Sequence, residues 1–147
     1  MRFTRYTDYA LRVLNYLGLK DDGRLSTIKE IAGRYGISEN HLMKVVHRLG
    51  QAGYVETVRG RGGGLRLAMP AREIGLGQVV RDCEDDMRVV ECFDPETNTC
   101  PIISACALPA ILDQALSAFL VVLDQYTLED LLRPKENLIE ILRPPAA

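Results

Sequence analysis

The 147-residue sequence predicts a mainly α fold with a small β-hairpin, a winged helix-turn-helix followed by a long dimerisation helix. Three observations predict it. Two helix-forming segments meet across a short Gly36-Ile37 turn, a glycine-rich tip separates two alternating apolar stretches after them, and an almost unbroken apolar stretch runs from Ala115 to Leu123.

Ala10, Val13, Leu14 and Leu17 fall at i, i+3, i+4 and i+7, which makes Thr4 to Lys20 an amphipathic first helix closed by Asp21-Asp22-Gly23. Thr27-Ile28-Lys29-Glu30 has the form of a capping box, in which hydroxyl and carboxylate satisfy orphan backbone donors, and it starts a second helix reaching about Tyr35. Past the turn, Ser38 is placed to cap a third helix whose Leu42, Val45, Val46 and Leu49 stripe ends at Ala52-Gly53. Tyr54 to Val58 alternates like a strand, Arg59-Gly60-Arg61-Gly62-Gly63-Gly64 forms a tip, and Leu65-Arg66-Leu67 returns as a second strand. A disordered linker is the alternative for the glycine run, but its two alternating flanks favour a hairpin.

Pro70 breaks the chain, after which Leu76, Val79, Val80 and Cys83 share one face of a fourth helix, so Cys83 reads as a core thiol. From Glu84 to about Cys106 no periodicity is sustained, and so long a loop in a small protein is functional or disordered. Pro109 to Gln125 is helical and apolar on more than one face, so one face can pack on its own domain and another on a second copy. Thr127-Leu128-Glu129-Asp130 suggests a capped short helix ending before Pro134, and the tail to Pro144-Pro145-Ala146-Ala147 is expected to be loosely ordered. The resulting division is a DNA-binding domain over 1–82, a cysteine-bearing loop over 83–108, the dimerisation and short capped helices over 109–133, and a tail over 134–147.

The net charge of -2 hides an asymmetry. Up to Arg81 there are 14 Lys and Arg against 7 Asp and Glu, giving +7; beyond it there are 4 against 13, giving -9. A basic half joined to an acidic half is what a nucleic-acid reader with a separate sensing segment shows. The first residues lack the apolar run of a signal peptide and no stretch approaches the roughly 18 residues of a membrane span, so a cytoplasmic protein without membrane contact is expected. In that reducing compartment four cysteines point to metal or redox chemistry before disulfides.

With the apolar stripe of the third helix turned inward, Asn40, His41, Lys44, His47, Arg48 and Gln51 face outward, offering cations for phosphates and donors for base edges. Ser38 stands at the amino end of that face. Arg59 and Arg61 sit among glycines, including Gly62 and Gly63, so the backbone can approach a duplex while the guanidinium groups reach phosphates or a minor groove. A merely solvated polar face is the competing reading of the helix alone, and the wing argues against it. His41 and His47 lie six residues apart, too far round the helix to share a metal.

Cys92, Cys100 and Cys106 are separated by seven and five residues, with no Cys-x-x-Cys pair. That spacing weighs against a zinc ribbon and a thioredoxin-like dithiol, and three thiols in one loop suit an iron-sulfur cluster that lacks one ligand. Cys83 is the chain-local candidate for the fourth place, against which its apolar helical face argues.

Together, Thr7-Asp8-Tyr9-Ala10-Leu11-Arg12, Ser38-Glu39-Asn40-His41 with Lys44-Val45-Val46, Ala52-Gly53-Tyr54-Val55, and the wing residues Arg59-Gly60 and Gly63-Gly64 resemble the Rrf-type winged-helix regulators, within them the nitric-oxide-sensing NsrR-type branch rather than the IscR branch. Cys100 and Cys106 match in spacing, and Tyr126-Thr127-Leu128-Glu129-Asp130-Leu131 resembles the segment after the family's dimerisation helix. The resemblance implies a homodimeric repressor on a partly palindromic promoter operator, with nitric oxide as the signal. It also implies that Cys92, Cys100 and Cys106 hold a 4Fe-4S cluster, a 2Fe-2S form being the alternative, and that Asp8 supplies an oxygen ligand from the other subunit. Without the family, Asp8 reads as a helix-dipole acid or an i,i+4 partner of Arg12. The longer gap between Cys92 and Cys100 and the extra Cys83 depart from the family's pattern. Competing functions are a sensor of iron or cluster supply in the same fold, a winged helix that binds only protein, and a cysteine redox enzyme, against which the missing dithiol and catalytic base argue.

Overall fold

The computed structural model describes residues 2–20 and 23–142. Its helices are α1 (Arg5–Leu19), α2 (Ile28–Tyr35), α3 (Glu39–Gln51), α4 (Leu76–Cys83), α5 (Leu108–Asp124), α6 (Leu128–Leu131) and α7 (Lys135–Ile141), and its strands are β1 (Val55–Val58) and β2 (Gly64–Leu67).

Thr4 starts α1 by accepting from the Thr7 N–H at 3.3 Å, and the helix buries Ala10, Val13, Leu14 and Leu17 on the face the periodicity predicts. The capping box of α2 is formed in both directions: the Thr27 hydroxyl accepts from Glu30 N–H at 3.1 Å, and Glu30 accepts from Thr27 N–H. Gly36 ends α2 at φ 64, a left-handed conformation that an L side chain would strain, so the chain can turn directly into α3. Leu42, Val45, Val46 and Leu49 of α3 close the core against α1 and α2. Ser38 occupies the capping position of α3, but its side chain makes no capping hydrogen bond, a departure from the expected cap that leaves the hydroxyl unspent at the helix start.

β1 and β2 pair antiparallel, with Val55 opposite Leu67 and Val58 opposite Gly64, and Ser26 bridges to Leu65 beyond them. Positive φ at Gly60 and Gly62 lets the tip reverse, and a Cβ on Gly63 would lie 2.3 Å from the Val58 carbonyl oxygen, so the wing needs glycine there too.

α4 buries Leu76, Val79, Val80 and Cys83, as expected. Leu128 of α6, fully buried, joins the same core, and the backbone of 126–128 pairs with that of 74–76. The boundary drawn after residue 82 therefore divides chain segments, while the carboxyl-terminal turns pack back into the amino-terminal unit. Asp130 accepts from both the Thr127 N–H, at 2.8 Å, and its hydroxyl, at 3.1 Å, which gives α6 its predicted cap. The loose tail expected from 134 onward is corrected by α7: Leu142 reaches the core cluster, and that anchorage supports a helix that Pro134 initiates. The rest of that expectation, Pro144-Pro145-Ala146-Ala147, lies outside the described residues, as does the Asp21-Asp22 expected to close the first helix.

α5 buries no residue along its whole length. Leu108, Ile111, Val121 and Val122 are each at least half exposed, and its ties to the rest of the chain include the Arg81–Asp124 ion pair at 2.6 Å and the Phe3–Phe119 ring contact.

Candidate nucleic-acid interface and cysteine loop

The amino end of α3 and the wing tip present the predicted surface. Ser38, Asn40, His41, Lys44 and His47 are exposed along α3, and Arg59, Arg61 and Gly62 are exposed at the tip, with Gly63 half-buried beneath them. Arg59, Arg61, Lys44 and His47 engage no protein partner among the described residues, so their donors are free for a polyanion.

Arg48 behaves otherwise. Its guanidinium lies over the Tyr6 ring, 5.1 Å from the centroid, and donates to Asp85 at 2.8 Å, so the structure turns it from the outward face toward α1 and the start of the cysteine loop. The reason is geometric: Arg48 and His41 lie on the side of α3 next to α1, where Tyr6 and Tyr9, one turn apart, form an aromatic wall. The His41 ring meets Tyr9 at 6.3 Å. Tyr6 also donates from its hydroxyl to the Val45 carbonyl, and burial pushes its pKa up to about 12, so it stays a neutral donor.

Asp8 is half exposed and pairs with Arg12 at 2.9 Å, the i,i+4 contact expected without the family. The Arg12 guanidinium in turn sits over the Tyr9 and Tyr35 rings.

All four cysteines are free thiols. Cys83 is 3% exposed, and burial pushes its pKa up to about 11, which makes it an inert core group. Cys92, Cys100 and Cys106 are half-buried. Among the described residues no three His, Cys, Asp or Glu side chains are grouped so as to hold a metal ion, so the chain alone does not bring the three thiols or Asp8 together.

What the loop has instead is a scaffold of carboxylates. Asp94, nearly buried, accepts from the Thr97 hydroxyl at 2.8 Å, from Glu96 N–H at 3.1 Å and from Arg88; the Thr97 bond leads in holding its pKa below the ordinary range. Glu91 accepts from Thr99 N–H and hydroxyl at 2.5 and 2.6 Å, and Asn98 accepts from Cys100 N–H at 3.0 Å. The seven residues between Cys92 and Cys100 are thus folded on themselves. The loop begins with Glu84, which accepts from Thr4 N–H at 2.9 Å, and Asp85, which holds Arg48. Sequence reasoning missed Tyr6, Glu84 and Asp85; only the three-residue spacing of Tyr6 and Tyr9 hinted at any of them.

Residues 3–134 match the family described as Rrf2, iron-dependent transcriptional regulators. The chain is 55% identical over 143 residues to the HTH-type transcriptional regulator NsrR of Bacillus subtilis, covering 97% of this chain and 98% of that protein. It resembles the crystal structure of a putative transcriptional regulator from Listeria innocua with a TM-score of 0.74 and 28% identity, over 90% of this chain and 87% of that one. A third likeness, to T. potens IscR at TM-score 0.73 and 23% identity over 99% of this chain and 94% of that one, speaks for the fold alone.

Proposed function

Because the chain belongs to the Rrf2 family of transcriptional regulators, we propose that it is a cytoplasmic homodimeric repressor that holds an iron-sulfur cluster through Cys92, Cys100 and Cys106 and leaves a partly palindromic operator in response to nitric oxide. The observation that carries the DNA-binding half is the exposed α3 and wing surface, with Lys44, His47, Arg59 and Arg61 free of protein partners among the described residues, in a chain whose other half is acidic. Asn40 and His41 read base edges near the helix start, Lys44 and His47 hold phosphates, and Arg59 and Arg61 reach along the backbone from Gly62 and Gly63. No described helix is long and apolar enough to cross a membrane.

The donor set suits a cluster. Three free, partly accessible thiols in one loop match the soft ligands that iron-sulfur centres take, and buried Cys83 is poorly suited to a fourth place, which falls to the partner subunit's Asp8. When bound, a 4Fe-4S cluster supplies iron that nitric oxide can ligate. Cys92, Cys100 and Cys106 would then tie down a loop otherwise organised by Asp94 and Glu91, and α5, with no buried residue, offers the surface for a second copy. Release of the three thiols frees the loop that borders α1 and α3, changing the spacing of two recognition helices that must match half-sites one DNA turn apart.

The test is anaerobic purification with iron and sulfide counts and an absorbance spectrum, followed by operator binding of loaded wild type, nitric-oxide-treated protein and cluster-free Cys100→Ala. Tight binding by the first alone is expected; equal affinities, or a colourless zinc protein, overturn the reading. A nearly complete switch needs about 5.5 kcal/mol of differential binding. The family's description as iron-dependent favours one second reading, a sensor of iron or cluster supply. In that case chelation releases the operator at doses where nitric oxide does not.

A further inference from the structure

Residues 84 and 85 stand where the cysteine loop leaves α4, and each grips a different helix. Glu84 accepts from the Thr4 backbone N–H at 2.9 Å and from its hydroxyl at 3.2 Å, at the cap that starts α1. Asp85 accepts from Arg48 at 2.8 Å, in the last turn of α3. Between the two contacts Tyr6 of α1 carries the Arg48 guanidinium on its ring and bonds the Val45 carbonyl of α3. Beside the core, the Tyr6 ring is thus one further join between α1 and α3, and two adjacent carboxylates of the loop clip the pair from outside.

This arrangement has no evident structural necessity. Asp85 is 86% exposed and Arg48 39%, and a pair so open to water adds little to folding. Its geometry is more informative than its strength. Arg48 is drawn off the outward face of the recognition helix by a residue that belongs to the loop, so any displacement of the loop's first residues acts directly on Arg48.

We infer that Asp85 is a positioning residue for operator binding, which holds Arg48, and with it the carboxyl end of α3, in a place set by the cysteine loop. The inference rests on the proposed cluster switch for the source of loop movement, and on the present contacts for its route. Asp85 touches neither DNA nor the thiols; it acts through Arg48. Loop release would slacken both grips together, leaving α3 held against α1 by the core and the Tyr6 contact alone.

The experiment places Asp85→Asn and Asp85→Glu in loaded wild type and in Cys100→Ala, and measures operator affinity, its salt dependence and thermal midpoint. Asp85→Asn is expected to weaken the loaded protein about fivefold, since each exposed pair of a dimer is worth roughly a factor of two to three. It should leave Cys100→Ala within about 1.5-fold, keep the spectrum and the midpoint, and be rescued by Asp85→Glu. Unchanged affinity in the loaded protein overturns the inference. Tighter binding with a steeper salt slope also overturns it, because Arg48 would then be a phosphate contact that Asp85 merely withholds. Equal losses in two backgrounds that themselves differ would make Asp85 a brace indifferent to the loop and overturn the coupling. Failure of the cluster switch is separate: it shows as equal affinities of wild type and Cys100→Ala, whatever Asp85→Asn does.

Discussion

Asp8→Asn separates what this residue does in its own chain from what is proposed for it across a dimer. Within the chain, Asp8 makes one ion pair with Arg12, four residues on, with both side chains nearly half exposed. Such a pair contributes about 0.3–0.5 kcal/mol, and an acid in the first turn adds about 0.3–1 kcal/mol through the helix dipole. Arg12 keeps its places over Tyr9 and Tyr35 after the change, so no packing is lost. The sum is near 1 kcal/mol, or a thermal midpoint lower by about 2–4 °C for a chain of this size, in the cluster-free protein. Loss of an outer-shell partner already costs about 10–100-fold in metal affinity, so removing a direct ligand should speed iron loss from the loaded dimer at least tenfold. Thermal melts of Asp8→Asn in the Cys100→Ala background give the first number, and the decay of cluster absorbance under chelator gives the second. Iron loss at the wild-type rate, with the small midpoint change intact, would confine Asp8 to its helix and refute the ligand role.

Three further outcomes test the fold and the DNA surface. Leu128→Ala should destabilise by about 3 kcal/mol, since the side chain is fully buried in the main core, lowering the midpoint by roughly 6–12 °C; a fall of under about 2 °C would show that α6 is not docked there. Lys44→Ala should weaken binding to operator and unrelated DNA alike and reduce the salt slope by about 1 per protomer, and an unaltered slope would remove Lys44 from the phosphate contacts. Burial raises the Glu30 pKa, but the hydrogen bonds from Lys20 and Tyr16 outweigh it and leave the carboxyl below its ordinary 4.5. A depressed folded value means stability present above about pH 4.5 and lost as pH falls below it. Glu30→Gln, which keeps the capping box, should therefore be less stable at neutral pH and show a shallower acid limb in urea melts; a parallel pH profile would count against the network.

The winged helix was legible because its signals are local. Thr27 and Glu30 are three residues apart, the stripes of α1 and α3 repeat every turn, and the glycines of the tip are contiguous, so each element declares itself without knowledge of the others. Cys83 was legible for the same reason, since its helical phase alone assigns it to the core. The turn of Arg48 toward α1 was not legible, because the outward phase it shares with Lys44 says nothing about a carboxylate 37 residues away that captures it. α7 was missed because its stability comes from Leu142 reaching the core, a contact no window of the tail reveals. The cysteine loop was readable as chemistry and not as geometry: spacing identifies three thiols, while Asp94 and Glu91, which shape the segment between them, look in sequence like ordinary acids.

The weakness of the loop's grip on α3 constrains how the proposed switch can work. A shift from almost fully bound to almost fully released requires about 5.5 kcal/mol. Two Arg48–Asp85 pairs, one per protomer and mostly exposed, provide at most about 2 kcal/mol of that. The clip can therefore direct the movement of the recognition helices but cannot power it. The larger part must come from contacts that the proposed loaded dimer would add, and the described residues show where they are missing: an α5 with no fully buried residue and three thiols not grouped as a metal site. Those two deficits adjoin in sequence, the last cysteine standing two residues before α5 begins, so one event of assembly can satisfy both. It follows that cluster retention and dimerisation should be linked reciprocally, each strengthening the other by the same factor. Dilution of the loaded protein should then release iron, and a substitution such as Ile111→Glu on the exposed face of α5 should do so at any concentration, whereas a cluster held within each chain would survive both.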